Sequence, residues 1–162
     1  MTATTDLLRD LRPPWLLQTT DEASRVLANF GAAAAPPNLR VFTFKGERCT
    51  RWESFYRECW DVIRPPQYFG ENLYALKDVL TDQDVVGLDP VLIIVLNATR
   101  LLSHEASDDR EALLRCLEHC GEFCSAPEGQ LTGPPRPFHT LLHLDGPVPA
   151  QLHAYPRMEL VQ

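Results

Sequence analysis

The stretch that most constrains this chain is Pro90-Val91-Leu92-Ile93-Ile94-Val95-Leu96, an apolar, β-branched run with no polar alternation. It is far too short to cross a bilayer. A strand with one face in water would alternate apolar and polar residues. A strand without alternation is covered on both faces, as in a parallel sheet packed between helices. Residues 90–96 are therefore read as a central strand.

The flanking segments supply the rest of an α/β order. Arg40-Val41-Phe42-Thr43-Phe44 is short and β-rich and runs into Lys45-Gly46, so it reads as a first strand. Thr50-x-x-Glu53 has the pattern of a capping box at a helix start. Trp52, Phe55, Tyr56, Cys59, Trp60 and Ile63 then recur at helical spacing and line one face. Pro65-Pro66 ends that helix, and a shorter one is expected from about Asn72 to Thr81. In it Leu73, Leu76, Val79 and Leu80 share an inner arc, and Tyr74, Lys77, Asp78 and Thr81 an outer one. Asp108-x-x-Glu111 offers a second capping pattern before the stripe Leu113, Cys116, Leu117, Cys120, Phe123 and Cys124. Phe138–Leu144 reads as a third strand. Right-handed crossovers would set these strands parallel, with helices packed on the sheet.

Proline and glycine clusters divide the chain into an N-terminal extension (1–38), a central domain (39–145) and a C-terminal tail (146–162). The extension holds a short strand around Trp15-Leu16-Leu17 and a helix from Asp21 to Phe30, and is read as an appendage; extension of the sheet and self-association are the roles left open for it and for the tail. A length of 162 residues suits one core. With 15 Lys+Arg against 22 Asp+Glu the net charge is −7, which disfavours direct binding to nucleic acid or an anionic membrane and suits a basic partner. Thr2, Thr4, Thr5, Asp6 and Asp10 occupy the region where an export signal needs a cationic start and an apolar run, so the expected location is cytoplasmic.

Candidate catalytic groups are sparse. The five cysteines, Cys49, Cys59, Cys116, Cys120 and Cys124, include no C-x-x-C pair, and the last three continue an apolar helical stripe, which reads as buried structural thiols rather than a metal or redox site. His139 and His143, placed on a strand, stand about 13 Å apart and share no metal ion. The chain has no G-x-G-x-x-G, no G-x-x-x-x-G-K-[ST] and no G-x-S-x-G. We therefore expect no catalytic residue, no metal and no cofactor, and no enzyme.

The informative stretch is Pro66-Gln67-Tyr68-Phe69-Gly70-Glu71-Asn72-Leu73-Tyr74-Ala75-Leu76-Lys77-Asp78-Val79-Leu80-Thr81. From Gln67 to Asp89 five acids (Glu71, Asp78, Asp82, Asp84, Asp89) face the single cation Lys77. Aromatic anchors ringed by charge are how protein interfaces concentrate binding energy. The competing reading is a solvated acidic helix with Tyr68 or Phe69 in the core.

This stretch resembles the hallmark of the barstar family, intracellular inhibitors of secreted ribonucleases: an aromatic pair, Gly, Glu, Asn, Leu, then Leu, Asp and Leu-Thr at fixed spacing. The likeness extends more weakly over residues 39–145. It implies a three-stranded parallel sheet packed with α-helices, and a loop and helix that plug a basic ribonuclease active site with acids in place of substrate phosphate. Carried over, Asp78 matches the principal phosphate-mimicking acid, Tyr68 and Phe69 the aromatic start of the loop, and Gly70 and Asn72 the turn into the helix. Asp82 and Asp84 add charge around it. The chain departs from the pattern at Tyr74, where the family has an Asp, and at Lys77, where it has a Trp. Lys77 lies about 100° around the helix from Asp78.

The leading expectation is thus a cytoplasmic, acidic, non-enzymatic inhibitor of antitoxin or immunity type. The alternative keeps the scaffold but gives the outer face to a non-ribonuclease partner or to a second copy of the chain. A third reading, a small thiol enzyme, predicts sensitivity to alkylation.

Overall fold

In the computed structural model, which describes residues 9–31, 37–126 and 133–160, the apolar run forms the strand β3 (Val91–Leu96), buried at every position. Before it come β1 (Leu16–Thr19), α1 (Ala23–Phe30), β2 (Arg40–Lys45), α2 (Trp52–Val62), α3 (Leu73–Thr81) and the single turn α4 (Gln83–Val86). After it come α5 (Ser107–Cys124) and β4 (Phe138–His143). The sheet is parallel throughout, in the order β1-β4-β3-β2, with Phe42 opposite Ile93 and Ile93 opposite Thr140.

The sheet has four strands rather than the expected three, because Leu16–Thr19 pairs with β4, Leu17 opposite Leu141. Nor is β1 an open edge. The Gln18 N–H donates to the Pro156 carbonyl (2.9 Å), and the Met158 N–H donates back to the Gln18 carbonyl (2.7 Å). The tail therefore runs beside β1 as one further parallel bridge, Gln18 opposite Arg157.

Alternation along β3 separates two cores. Val91, Ile93 and Val95 join Phe42, Phe44, Phe138 and Leu142 beneath α2, α3 and α5. Leu92, Ile94 and Leu96 join Leu17 and Leu141 on the other face, under Val26 and Phe30 of α1 and Leu160 of the tail. The N- and C-terminal segments thus supply the second cover that the unalternating run requires. They are fastened to each other: the Asp21 carboxylate accepts from the Leu160 N–H (2.8 Å), and Arg25 Nη2 donates to the Leu160 carbonyl (2.5 Å). That backbone N–H holds the Asp21 carboxyl below its ordinary pKa.

Neither expected capping box forms where its pattern stands: the one at α2 shifts by one residue to Arg51 and Ser54, and the one at α5 gives way to a tertiary contact. The helix α2 starts one residue later than the Thr50 pattern implies: Ser54 Oγ accepts from the Arg51 N–H (3.1 Å), and the Trp52 N–H donates to Glu105 (3.1 Å). Thr50 is engaged elsewhere, its carbonyl accepting from the His104 N–H (3.0 Å). At α5 the cap position is Ala106 and no side chain caps it; Asp109 instead accepts from the Trp52 indole N–H (2.9 Å). The loop before α5 and the first turn of α5 dock on the start of α2 through the carboxylates of Glu105 and Asp109.

Candidate functional site

The acidic stretch forms a loop and α3, fixed from below by an aromatic anchor. Phe69 is 6% exposed and packs edge-on against Tyr56 and Trp60, with ring centroids 6.0 and 5.6 Å apart. Of the aromatic pair, Phe69 is thus the core residue, as the competing reading allows for one of the two, and Tyr68 is 76% exposed. After Phe69 the chain must reverse into the helix, and the left-handed residue is Glu71 (φ 50°) rather than Gly70. Trp60 holds Glu71 there, its indole N–H donating to the carboxylate (3.2 Å).

Asn72 then starts α3. Its side-chain oxygen accepts from the Ala75 N–H (2.9 Å) while its amide donates to the Gly70 carbonyl (3.2 Å), so one residue closes the turn and caps the helix. The inner arc is buried at Leu76, Val79 and Leu80 and half-buried at Leu73. The outer arc carries Tyr74, 86% exposed, and Asp78, also exposed. No hydrogen bond or ion pair among the described residues engages the Asp78 carboxylate.

A groove of about 180 Å³ runs between loop and helix, lined by Tyr68, Gly70, Ala75, Asp78, Val79 and Asp82. With Phe69, which also lines it, the groove brings together Tyr68, Phe69, Gly70, Asp78 and Asp82 of the sequence-derived set. Asp82 is half-buried, and one of its oxygens accepts from the Asp84 N–H (2.8 Å) to cap α4. Asp84 is exposed beyond the groove. Lys77 is turned the other way: it is half-buried on the α5 flank, its Nζ 5.3 Å from the centroid of Phe123. The cation and Asp78, adjacent in sequence, therefore face different flanks.

Sequence reasoning missed what holds the far end of α3. Arg136, 5% exposed, donates from Nη1 to the Gly87 carbonyl (2.7 Å) and from Nη2 to the Thr81 carbonyl (2.9 Å). A cation at a helix C-terminus opposes the negative end of the helix dipole, so Arg136 fixes the frame of Asp78 and Asp82 from beneath. Its one signal in the sequence is a lone arginine between prolines ahead of an apolar strand.

The other candidates are structural. All five cysteines are free and buried. Burial pushes the Cys49 thiol up to about 12, and raises Cys59 and Cys124 as well. His143 Nδ1 accepts from the Asn97 N–H (3.0 Å), His139 Nε2 lies 2.9 Å from the Asp10 carbonyl, and burial lowers the pKa of both rings. On α5, burial raises the Glu118 carboxyl, while desolvation and then Glu118 push Tyr155 of the tail up to about 12. Among the described residues no cluster of His, Cys, Asp and Glu is arranged to hold a metal ion.

A family model described as Barstar (barnase inhibitor) matches residues 39–141. A comparison with curated proteins finds no match.

Proposed function

This chain belongs to the barstar family, and on that premise we propose that it is a non-enzymatic, antitoxin-type protein that binds a basic ribonuclease in the cytoplasm and closes its active site with α3 and the preceding loop. One observation carries the reading: the Asp78 carboxylate is exposed and unengaged beside Tyr68, while Lys77 points to the other flank. A carboxylate entering a cationic, water-poor cleft gains charge-assisted hydrogen bonds that a phosphate would otherwise make. Asp82 contributes less, because α4 already uses one of its oxygens. Phe69, Gly70 and Asn72 act by holding the loop rather than by contact.

The test is inhibition of a panel of basic ribonucleases, barnase-type enzymes included, at low and high salt, by the wild-type chain and by Asp78→Ala. Loss of inhibition in Asp78→Ala is expected; inhibition indifferent to it overturns the mechanism.

A second reading, a docking module for a partner that is not a ribonuclease or for a second copy of the chain, is favoured by Tyr74, which stands where the family carries an acid and is the most exposed large apolar side chain among the described residues. Affinity purification from the source cell separates the two, since recovery of a nuclease supports the first alone.

A further inference from the structure

The helix α3 is a ridge with a hollow on each flank. Opposite the Asp78 groove lies a wider cleft of about 600 Å³, lined by Lys77, Trp15, Leu11, His119, Glu122 and Phe123. Leu11 and Trp15 precede residues 39–141, so this wall belongs to the present chain rather than to the part that matches the family. Trp15 seats on α5 at Gly121, where even a methyl group would come within 2.5 Å of its side chain. The cleft is therefore built by a deliberate close approach of the N-terminal segment to α5.

Its lining joins apolar side chains to the cation of Lys77. Leu11 is 41% exposed, and Phe123 presents its ring under Lys77 Nζ. No carboxylate among the described residues pairs with Lys77. The Trp15 indole N–H is buried without a hydrogen-bond partner among the described residues. A volume in this range suits a side chain or two of a partner.

A stable protein interface covers about 800 Å² on each side. A partner centred on Tyr74 and Asp78 overhangs both flanks of a nine-residue helix. We infer that the cleft is a second docking site, taking from a protein partner an apolar side chain with a single carboxylate beside it. The apolar group lies against Leu11, Trp15 and Phe123, and the carboxylate meets Lys77. Glu122, exposed on the same rim, restricts the incoming charge to one acid rather than a run of them. The partner is thus required to be basic opposite Asp78 and acidic one helix-width away.

This inference rests on reading α3 as a protein-docking ridge, and its test needs no ribonuclease, so the two can fail separately. The probe is the blocked peptide acetyl-Phe-Glu-Leu-amide, titrated into the full chain while the Trp15 indole N–H resonance is followed by NMR. A saturable shift is expected, several-fold weaker for the same peptide with glutamine in place of glutamate, and several-fold weaker in Lys77→Gln. Absence of a shift into the millimolar range, or a shift indifferent to the glutamine exchange or to Lys77→Gln, overturns it. The peptide exchange is read on the wild-type chain and so does not depend on any variant folding.

Discussion

Tyr68 and Phe69 are neighbours with opposite fates, and substitution should separate them. Phe69→Ala removes the contacts with Tyr56 and Trp60 and should cost about 3 kcal/mol in denaturant unfolding. Tyr68→Ala, at an exposed position, should stay within about 0.5 kcal/mol. Arg136→Met leaves the Thr81 and Gly87 carbonyls without their donor and should cost about 2 kcal/mol or more. The sequence shows two adjacent aromatics and cannot say which faces inward, because that depends on Tyr56 and Trp60 arriving from another helix. For the same reason it marks Lys77 and Asp78 as one outer arc, although Phe123 of α5 draws the lysine to the far flank. His139 and His143 set a pH dependence. Their folded pKa values lie below the ordinary value of about 6.5, so below that pH the unfolded chain takes up more protons than the folded one. Stability should hold above about pH 7 and fall towards about pH 5, and His139→Gln should flatten the fall in unfolding midpoint.

The elements themselves are largely legible: the strands at residues 40–45, 91–96 and 138–143 and the helices around them follow from periodicity. What the local pattern misstates is how they are joined. The two S/T/D-x-x-E patterns look like caps, but their neighbours make tertiary bonds between the start of α2 and the loop before α5. The reading of residues 1–38 as an appendage also sits uneasily with the demand that β3 be covered twice. A three-stranded sheet with all its helices on one side leaves Leu92, Ile94 and Leu141 bare, and α1 and the tail are what cover them. Removing residues 146–162 takes away two buried leucines, Leu152 and Leu160, along with the bridge to Gln18. It should lower stability by at least about 4 kcal/mol and promote aggregation, measured by thermal unfolding with light scattering.

Over the whole molecule, the net charge of −7 sets how a cationic partner is met. If the proposed function holds, stopped-flow association should slow markedly with added salt while dissociation changes much less. The thiols give a check that needs no partner: a water-soluble disulfide reagent should leave all five cysteines unmodified in the native chain and modify all five in denaturant. The fastening of Asp21 to Leu160 bears on how the molecule is made. A ribosome delivers β1 long before its neighbour in the sheet and the segment that seals its outer side, Leu160 following Asp21 by 139 residues. Until then Leu17, Leu92 and Ile94 lack the Leu141 and Leu160 that complete their cover. Maturation of this protein must wait for late synthesis, and a chaperone that shelters such strands should be found on it before then.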